Sequence, residues 1–327
     1  MDYEIKPFDE TTYDDANALT YELFDPKPGS VLSKILANPL RKELNASSSG
    51  ELVYQGGRAV AFQAAILRKL YIRQKPFIGV TGSTLCSRAE TSPVLLMQLM
   101  KATIKSRYGS ELFFANTANV ASMKMNRLLG VKGIAPVTCE RTRFGICWVP
   151  PFIKKWIKPP KAQRVNEIDD RVFDDFWRRY LKNNKGVVSS RTAKELRWMF
   201  GDEMKSGDSV MLGLFGDEGS LDGYVVIRST HGGRRWMLMD WIAVDNNPDV
   251  LKFLLESAMR FIRRESNALL FEMIGYPVYA DVIARKVLPF VRRAKNNSFL
   301  WKFTGSNLTI SEDSWFWGAY DGDRALG

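Results

Sequence analysis

The segment FFANTANVASMKMNRLLGVKG (113–133) places amide side chains at a spacing that could hold a ligand. An apolar run ends at Asn116 and Asn119, a stretch of helical character follows, and Asn126 comes seven residues after Asn119. An Asn side chain donates and accepts hydrogen bonds but releases no proton near neutral pH. The pattern predicts a strand, a turn and a helix whose bend caps the helix, contacts a ligand through its amides, or does both.

A single histidine, His231, excludes several classes of chemistry. It lies in STHGGRR, a pattern typical of a hairpin turn, so a Ser-His-Asp or Cys-His hydrolase would depend on one loop residue. A histidine-rich metal site cannot be built, and we expect no metal. The chain also lacks a GxxxxGK[ST] loop and a GxGxxG pattern after a strand, which argues against most kinases, NTPases and dinucleotide-binding domains.

Length and composition indicate a folded chain of two domains. The 327 residues are 45% hydrophobic and 25% charged, and chains of this length commonly divide into domains of about 150 residues. No apolar run approaches the roughly 18 residues of a membrane span, and the acidic amino terminus has no apolar signal core. Cys86, Cys139 and Cys147 lack metal-ligand spacing and are typical of reduced thiols, so we expect a cytoplasmic protein.

The net charge of +11 suits an anionic partner. Nucleic acid, an anionic membrane face and a phosphorylated small molecule each fit that charge. The chain shows no nucleic-acid-binding motif, so nucleic acid is the partner we expect least. The densest basic run is KKWIKPPKAQR at 154–164, which stands among Pro151, Pro159 and Pro160. We interpret residues 149–164 as a basic, proline-rich linker.

A weak internal repeat divides the chain into two halves of one plan. The strand patterns that begin at residues 51 and 210 are 159 residues apart, and those at 79 and 238 are also 159 apart. Helical patterns begin at 93 and 248, the first with Ser92 as its N-cap and Pro93 in its first turn. Strands and helices in this alternation predict an α/β fold with a mixed sheet and helices on both of its faces.

This order of elements resembles the GNAT superfamily of acyl-CoA-dependent N-acyltransferases, in a tandem form. In that family a fifth strand ends in Asn, a small residue follows three positions later, and Gly follows eleven positions later. Asn119, Ser122 and Gly130 stand at those spacings here. The resemblance implies two tandem GNAT-like domains over 1–148 and 165–304, the linker 149–164 between them, and an aromatic, acidic tail over 305–327.

The resemblance also implies where a cofactor would bind. In the family, the pantetheine arm of acyl-CoA lies where the fourth and fifth strands diverge, and the diphosphate meets the loop before the next helix. FIGVTGSTLCS (77–87) matches the fourth strand and RAETSP (88–93) the loop, whereas Gly79 and Gly82 indicate either a closely approaching ligand or a bulge. The implied cofactor-binding residues are Val80, Thr81, Gly82, Ser83, Arg88, Thr91, Ser92, Asn116 and Asn119.

Asn126 stands at the position of a catalytic residue of the family. The family often has a tyrosine there that protonates the departing thiolate, which an Asn cannot do. A thiol with a pKa of about 8.5 leaves tolerably as a thiolate, so positioning and polarisation of the thioester carbonyl can supply much of the rate. A base for the incoming amine would come from Glu51, Tyr54 or Glu90, each of which can equally be a packing or surface residue.

The resemblance therefore implies an acyl-CoA-dependent N-acyltransferase. Its donor would be acetyl-CoA or another acyl-CoA, and its acceptor a small-molecule amine such as an amino sugar or a cell-envelope precursor. An acidic acyl carrier protein would also suit the positive charge. In the second half, Asp245 and Asp249 would repel phosphates, so we predict that this half is non-catalytic. The alternative function is a catalytically inactive GNAT-like binding or regulatory protein.

Overall fold

The chain folds into two compact units. The structure, a computed structural model, describes residues 2–24, 31–104, 112–118, 124–125, 128–129, 132–133, 141–274, 280–288, 290–293, 298–303 and 315–316. Unit 1 comprises residues 1–137, 296–312 and 322–327, and unit 2 comprises residues 138–295 and 313–321.

Unit 1 is built on one mixed sheet. Its elements are β1 Tyr3–Pro7, α1 Tyr13–Leu23, α2 Val31–Leu36, α3 Pro39–Glu43, β2 Gly50–Gln55, β3 Arg58–Ile72, β4 Lys75–Ser87, α4 Pro93–Ile104, β5 Leu112–Ala118, β6 Lys132–Gly133 and β15 Ser298–Phe303. The strand order is β1-β2-β3-β4-β5-β15-β6. Neighbouring strands are antiparallel, except that β4 and β5 are parallel and are joined through the crossover helix α4.

Tight turns join the long strands of unit 1. Gly56 and Gly57 have φ values of 57° and 76° between β2 and β3, and Arg73 and Gln74 have φ values of 49° and 69° between β3 and β4. Two consecutive residues of positive φ match the right-handed twist of the strands that they join. Glycine adopts such angles without a steric penalty, so the Gly-Gly pair suits this turn.

Helix α4 begins where the sequence predicts. The Ser92 hydroxyl accepts a hydrogen bond from the Val94 backbone N–H at 3.2 Å, and Pro93 is the first residue of the helix. A helix with one apolar face is held on a sheet by burying that face. The cluster that α4 shares with β2 and β3 comprises Val53, Val60, Ala61, Leu95 and Leu99.

Unit 2 contains a second mixed sheet. Its elements are β7 Arg141–Ile146, α5 Pro151–Lys154, β8 Gln163–Val165, α6 Asp170–Asn183, β9 Val187–Ser189, α7 Ala193–Ser206, β10 Ser209–Phe215, β11 Leu221–Thr230, β12 Arg235–Ala243, α8 Pro248–Glu265, β13 Leu270–Ile274, α9 Asp281–Val287, β14 Phe290–Arg293 and β16 Trp315–Phe316. The strand order is β14-β7-β13-β12-β11-β10-β8, and β9 pairs with β16. Strands β12 and β13 are parallel and are joined through α8.

Local signals place the hairpin and the long helix of unit 2. His231 and the two glycines after it all have positive φ and form the turn between β11 and β12, as predicted. Asn247 caps α8, because its side-chain oxygen accepts from the backbone N–H groups of Asp249 at 2.9 Å and Val250 at 3.3 Å. The apolar face of α8 is buried in the unit 2 core through Leu251, Leu254, Leu255, Ala258 and Ile262.

Two strands lie in sheets that the local sequence does not indicate. Strand β7 follows the unit 1 segment in the chain but pairs with β13 and β14, whereas β15 lies near the end of the chain and pairs with β5. The contiguous halves predicted at 1–148 and 165–304 do not contain this exchange. Both sheets nevertheless share a hairpin, a crossover helix and a parallel strand. The predicted mixed α/β fold is confirmed, and an origin by duplication stays a prediction.

The helices of the described residues are too short or too polar to cross a bilayer.

We expect Cys86 and Cys147 to react slowly with thiol reagents. Both are buried free thiols, and burial raises the pKa of each to about 12. The thiolate is the reactive form, so modification at pH 8 should be at least about 100-fold slower in the native protein than in denaturant. Mass spectrometry of the peptides that contain each cysteine measures the rates, and equal rates in the two states would contradict this burial.

The same burial predicts a loss of stability in alkali. A thiol whose pKa is raised on folding from 9 to about 12 contributes stability that is present below pH 9 and is lost as the pH rises towards 12.

Candidate functional site

The pairing of β4 with β5 stops part-way along both strands. Three residue pairs join them, and the last is between Thr81 and Phe114. Beyond that pair, β4 continues over residues 82–87 and β5 over residues 115–118, and the described residues show no further pairing between them. We call these two diverging segments the fork.

Each arm of the fork is held on its outer side. Strand β4 pairs with β3 as far as Ser87, and β5 pairs with β15 as far as Ala118. The inner side of each arm faces no strand among the described residues. Backbone polar groups away from water require partners, so the fork is suited to an extended ligand that carries amide groups of its own.

A β-bulge explains why β4 leaves β5. The register of β3 against β4 shifts so that Thr84 and Leu85 of β4 oppose the single residue Gln63 of β3. Thr84 has a φ of 51°, which is uncommon for a β-branched residue, and its hydroxyl lies 3.0 Å from that of Ser83. A bulge bends its strand and increases the local twist. It therefore turns β4 away shortly after its last pair with β5.

Gly79 and Gly82 are required by packing within the sheet. A Cβ on Gly79 would lie 2.4 Å from Cδ1 of Leu70, and a Cβ on Gly82 would lie 2.7 Å from Nε2 of Gln63. Side chains of β3 therefore fill the space beside both glycines. The predicted alternative of a bulge at these positions is wrong, because the bulge lies at Thr84, and a ligand contact at Gly82 stays a prediction.

A row of polar side chains crosses the sheet to the fork. Glu51 of β2 is fully buried and lies opposite Gln63 of β3, whose amide is directed at Gly82. The buried Gln63 Oε1 has no hydrogen-bond partner among the described residues. Buried polar atoms are normally paired, so this oxygen is a candidate for a ligand or a water molecule. Sequence reasoning missed Gln63, although its amide interrupts the apolar pattern of β3.

The other predicted strand contacts lie at the closed end of the fork. Val80 is fully buried in the apolar cluster of β3, β4 and β5. Thr81 and Ser83 are buried too, and the Thr81 hydroxyl has no partner among the described residues. Successive residues of a strand point to opposite faces, so Thr81 and Gln63 place polar atoms on the two faces of the sheet beside the fork.

Tyr54 is a poor candidate for a base. Its hydroxyl donates a hydrogen bond of 2.6 Å to Oδ2 of Asp15. Burial raises the pKa of the Tyr54 phenol, and the Asp15 carboxylate raises it further. The phenolate that would accept a proton is therefore scarce near neutral pH. Glu90, the third predicted base, is exposed in the loop before α4.

Arg88 is held at the end of β4 by groups of unit 1. Its guanidinium forms a two-pronged ion pair with Glu22, in which Nη2 lies 2.6 Å from Oε2, and its Nε donates to the Ala59 carbonyl at 3.2 Å. The position is thus fixed, and a guanidinium with this carboxylate partner has less net charge to offer an anion. The predicted contact with a diphosphate stays a prediction.

The loop from Arg88 to α4 is braced by its own hydroxyls. Thr91 Oγ1 donates to the Val60 carbonyl at 3.0 Å, and Ser92 caps α4. Because β4 and β5 are parallel and diverge after their last pair, the fork opens towards the C-terminal ends of these two strands, where α4 begins. The positive end of the α4 dipole lies at that end of the sheet.

Of the three asparagines, only Asn116 lies within the described residues. Its backbone belongs to β5, two positions beyond the last pair with β4, so the strand continues past the bend that the sequence predicts there. Asn119 and Asn126 lie outside the described residues, and the roles predicted for them stay predictions.

Unit 2 carries a buried charged network beside β12. Arg191 is fully buried, and its Nε lies 2.9 Å from Oδ2 of Asp240, while Nη2 lies 3.0 Å from Oδ1. The Tyr224 hydroxyl donates to Oδ2 of Asp240 at 2.8 Å. Sequence reasoning missed this network, although an aspartate inside the apolar run LMDWI was a visible signal. We assign it a structural role, because buried ions must be paired.

The two aspartates predicted to repel phosphates lie beside α8. Asp245 accepts a hydrogen bond of 2.6 Å from Asn183 and has a φ of 58°, and Asp249 is in the first turn of the helix. Asn247 already caps that turn. No group of three or more His, Cys, Asp or Glu side chains within the described ranges could hold a metal ion.

No protein-family model matches the sequence. No curated protein sequence matches it either.

Solved structures do share the fold. A conserved Enterococcus faecalis protein of unknown function, described as a probable N-acyltransferase, aligns with a TM-score of 0.61 at 12% identity over 93% of this chain and 72% of its own. Saccharomyces cerevisiae N-myristoyltransferase with bound myristoyl-CoA and inhibitors aligns with a TM-score of 0.58 at 13% identity, over 96% of this chain and 84% of its own.

A GCN5-related N-acetyltransferase from Anabaena variabilis gives 0.58 at 11% identity over 92% of this chain and 73% of its own. At these identities the likeness shows the fold, and the predicted GNAT fold is confirmed.

Asp240→Asn should destabilise the protein by about 3 kcal/mol or more, because it leaves the Arg191 charge buried without its carboxylate. Asp245→Asn removes the same charge from an exposed position and should change stability by less than about 0.5 kcal/mol. Denaturant unfolding measures both. A loss below about 1 kcal/mol for Asp240→Asn would contradict the structural role.

Proposed function

We propose that this chain, which has the GNAT fold, is an acyl-CoA-dependent N-acyltransferase whose donor binds at the fork of unit 1. The observation that carries the proposal is the end of β4–β5 pairing after Thr81 and Phe114, with both arms held on their outer sides. One neighbour with this fold, the yeast N-myristoyltransferase, is a complex with myristoyl-CoA, which supports an acyl-CoA donor.

The pantetheine arm suits the fork chemically. It is extended, narrow and carries two amide groups, so it can pair with inner backbone groups of residues 82–87 and 115–118 as a strand would. Such pairing depends on backbone groups and not on side chains, so it requires no particular side chain along the two arms. The buried oxygens of Gln63 and Thr81 offer further acceptors at the closed end.

The phosphates of the donor would lie at the C-terminal ends of β4 and β5, where the fork opens. The first turn of α4 and its dipole favour negative charge there. Pro93 has no N–H to donate, so fewer backbone donors are available than in a glycine-rich loop. We assign part of the compensation to Arg88, which is at the end of β4 and positioned by Glu22.

Transfer requires that the acceptor amine attack the thioester carbonyl. A C–N bond forms, the C–S bond breaks, CoA leaves as a thiolate, and a base takes the proton that the amine loses. Of the three predicted bases, Tyr54 has a raised pKa and Glu90 is exposed, so we assign the role to Glu51. Glu51 is two strands from β4, about 10 Å, so the proton would reach it through a water molecule.

The acceptor is proposed to be a small-molecule amine, with an amino sugar or a cell-envelope precursor as the leading classes, and acetyl-CoA as the first donor to test. A catalytically inactive binding protein is the second candidate. Coenzyme A binding without turnover of any amine would favour that candidate, and the absence of binding to any acyl-CoA would contradict the transferase.

A charge swap tests the role of Arg88. Arg88→Glu should weaken coenzyme A binding at least about 10-fold, because it replaces a charge-assisted donor with a carboxylate. The double variant Glu22→Lys with Arg88→Glu restores the ion pair, so its melting temperature should return close to the wild-type value while binding stays weak. Calorimetry and thermal shift measure the two quantities. If coenzyme A binding and the melting temperature both recovered in the double variant, Arg88 would stabilise the loop and would not contact the donor.

Glu51→Gln tests the base. With an amine that supports turnover, kcat should fall about 100-fold or more while KM for the acyl-CoA stays within twofold, because the acyl-CoA contacts are elsewhere. Glu90→Gln is the matched control and should retain the wild-type kcat. Release of the CoA thiol gives the rate. A wild-type kcat in Glu51→Gln would remove Glu51 from the mechanism.

A further inference from the structure

An exposed apolar surface lies around the C-terminal end of α8 in unit 2. Trp156 is 76% exposed and Phe152 is 72% exposed, which is unusual for large aromatic side chains. We call the exposed apolar residues of this region the aromatic surface: Ile146, Trp148, Phe152, Ile153, Trp156 and Leu269.

Hydrogen bonds show that these residues belong to one region. Lys154 Nζ donates to the Ser266 carbonyl at 2.6 Å, which ties α5 to the end of α8. The Cys147 N–H donates to the Leu269 carbonyl at 2.9 Å, and Arg263 donates to the Ile146 carbonyl at 3.2 Å. The segment interpreted from sequence as a linker is therefore attached to unit 2.

The charge around the aromatic surface is mainly positive. Residues 144–166 contain no Asp or Glu and five basic residues, which are Lys154, Lys155, Lys158, Lys161 and Arg164. Arg263 and Arg264 follow on the last turn of α8, and Glu265, the acidic residue beside them, pairs with Arg264 at 3.0 Å. Lys155, Lys158 and Lys161 are exposed.

We propose that the aromatic surface and its basic rim dock on an anionic phospholipid bilayer. Tryptophan is favoured at the bilayer interface because its ring is apolar and its N–H remains hydrated. Each Lys or Arg near an anionic bilayer strengthens binding roughly five-fold. Exposed aliphatic side chains such as Ile146 and Leu269 gain from contact with acyl chains, whereas they offer no stacking surface to nucleic-acid bases. This inference is independent of the proposed activity.

Vesicle co-sedimentation of the full chain tests the proposal. The vesicles are phosphatidylcholine alone, or phosphatidylcholine with phosphatidylglycerol. We expect binding to the anionic vesicles, weakened by salt, and little to the neutral ones. Trp148→Ser with Trp156→Ser, and separately Lys155→Glu with Lys158→Glu, should each weaken binding at least 10-fold. Lys194→Glu with Lys205→Glu makes the same charge change at exposed positions of α7 and should weaken it less than threefold.

The contradicting results are distinct. Absence of vesicle binding by the wild type would overturn the proposal, as would equal losses in the α7 control and the Lys155 and Lys158 variant. Light scattering and anisotropy with a single-stranded oligonucleotide complete the test. Two outcomes without vesicle binding would assign the surface to another partner. A wild-type dimer that becomes a monomer in Trp148→Ser with Trp156→Ser would assign it to a second copy of the chain. Oligonucleotide binding that is lost in the same variant would assign it to nucleic acid. Circular dichroism confirms that each variant is folded.

Discussion

The end of backbone pairing after Thr81 and Phe114 is the constraint on which the proposed site depends. Two parallel strands normally satisfy each other's N–H and C=O groups along their shared length. Here the bulge at Thr84 turns β4 aside, while β3 and β15 hold the outer sides of the two arms. The sheet is therefore paired on the outer side of both arms, and the inner sides face no strand among the described residues. An extended molecule with amides is the ligand class that we propose for this gap.

The buried charged network of unit 2 and the buried polar atoms beside the fork differ in their pairing. In unit 2, Arg191, Asp240 and Tyr224 pair with one another, so a network that might resemble a site is a packed structural element. In unit 1, Gln63 Oε1 and the Thr81 hydroxyl lie beside the fork without partners among the described residues. Buried groups of the second kind mark places where a ligand or water completes the structure, and their position beside the fork is a reason to propose the site there.

Local elements could be predicted from the sequence, and long-range ones could not. The turn at His231 and the start of α4 at Ser92 depend on residues within a few positions of each other, and the structure confirms both. The exchange of β7 and β15 depends on pairing between distant segments, for which no local pattern exists. Tyr54 meets Asp15 and Arg88 meets Glu22 across 39 and 66 positions, so their states could not be inferred from spacing.

Amide hydrogen exchange with coenzyme A is the most direct test of the fork, because its pantetheine arm is common to donors of every acyl length. The account predicts slower exchange in residues 82–87 and 115–118 when coenzyme A is added, since their inner N–H groups gain partners. Amides of β12 in unit 2 should not change. Coenzyme A binding without protection of either arm of the fork, or with protection confined to unit 2, would contradict the central claim.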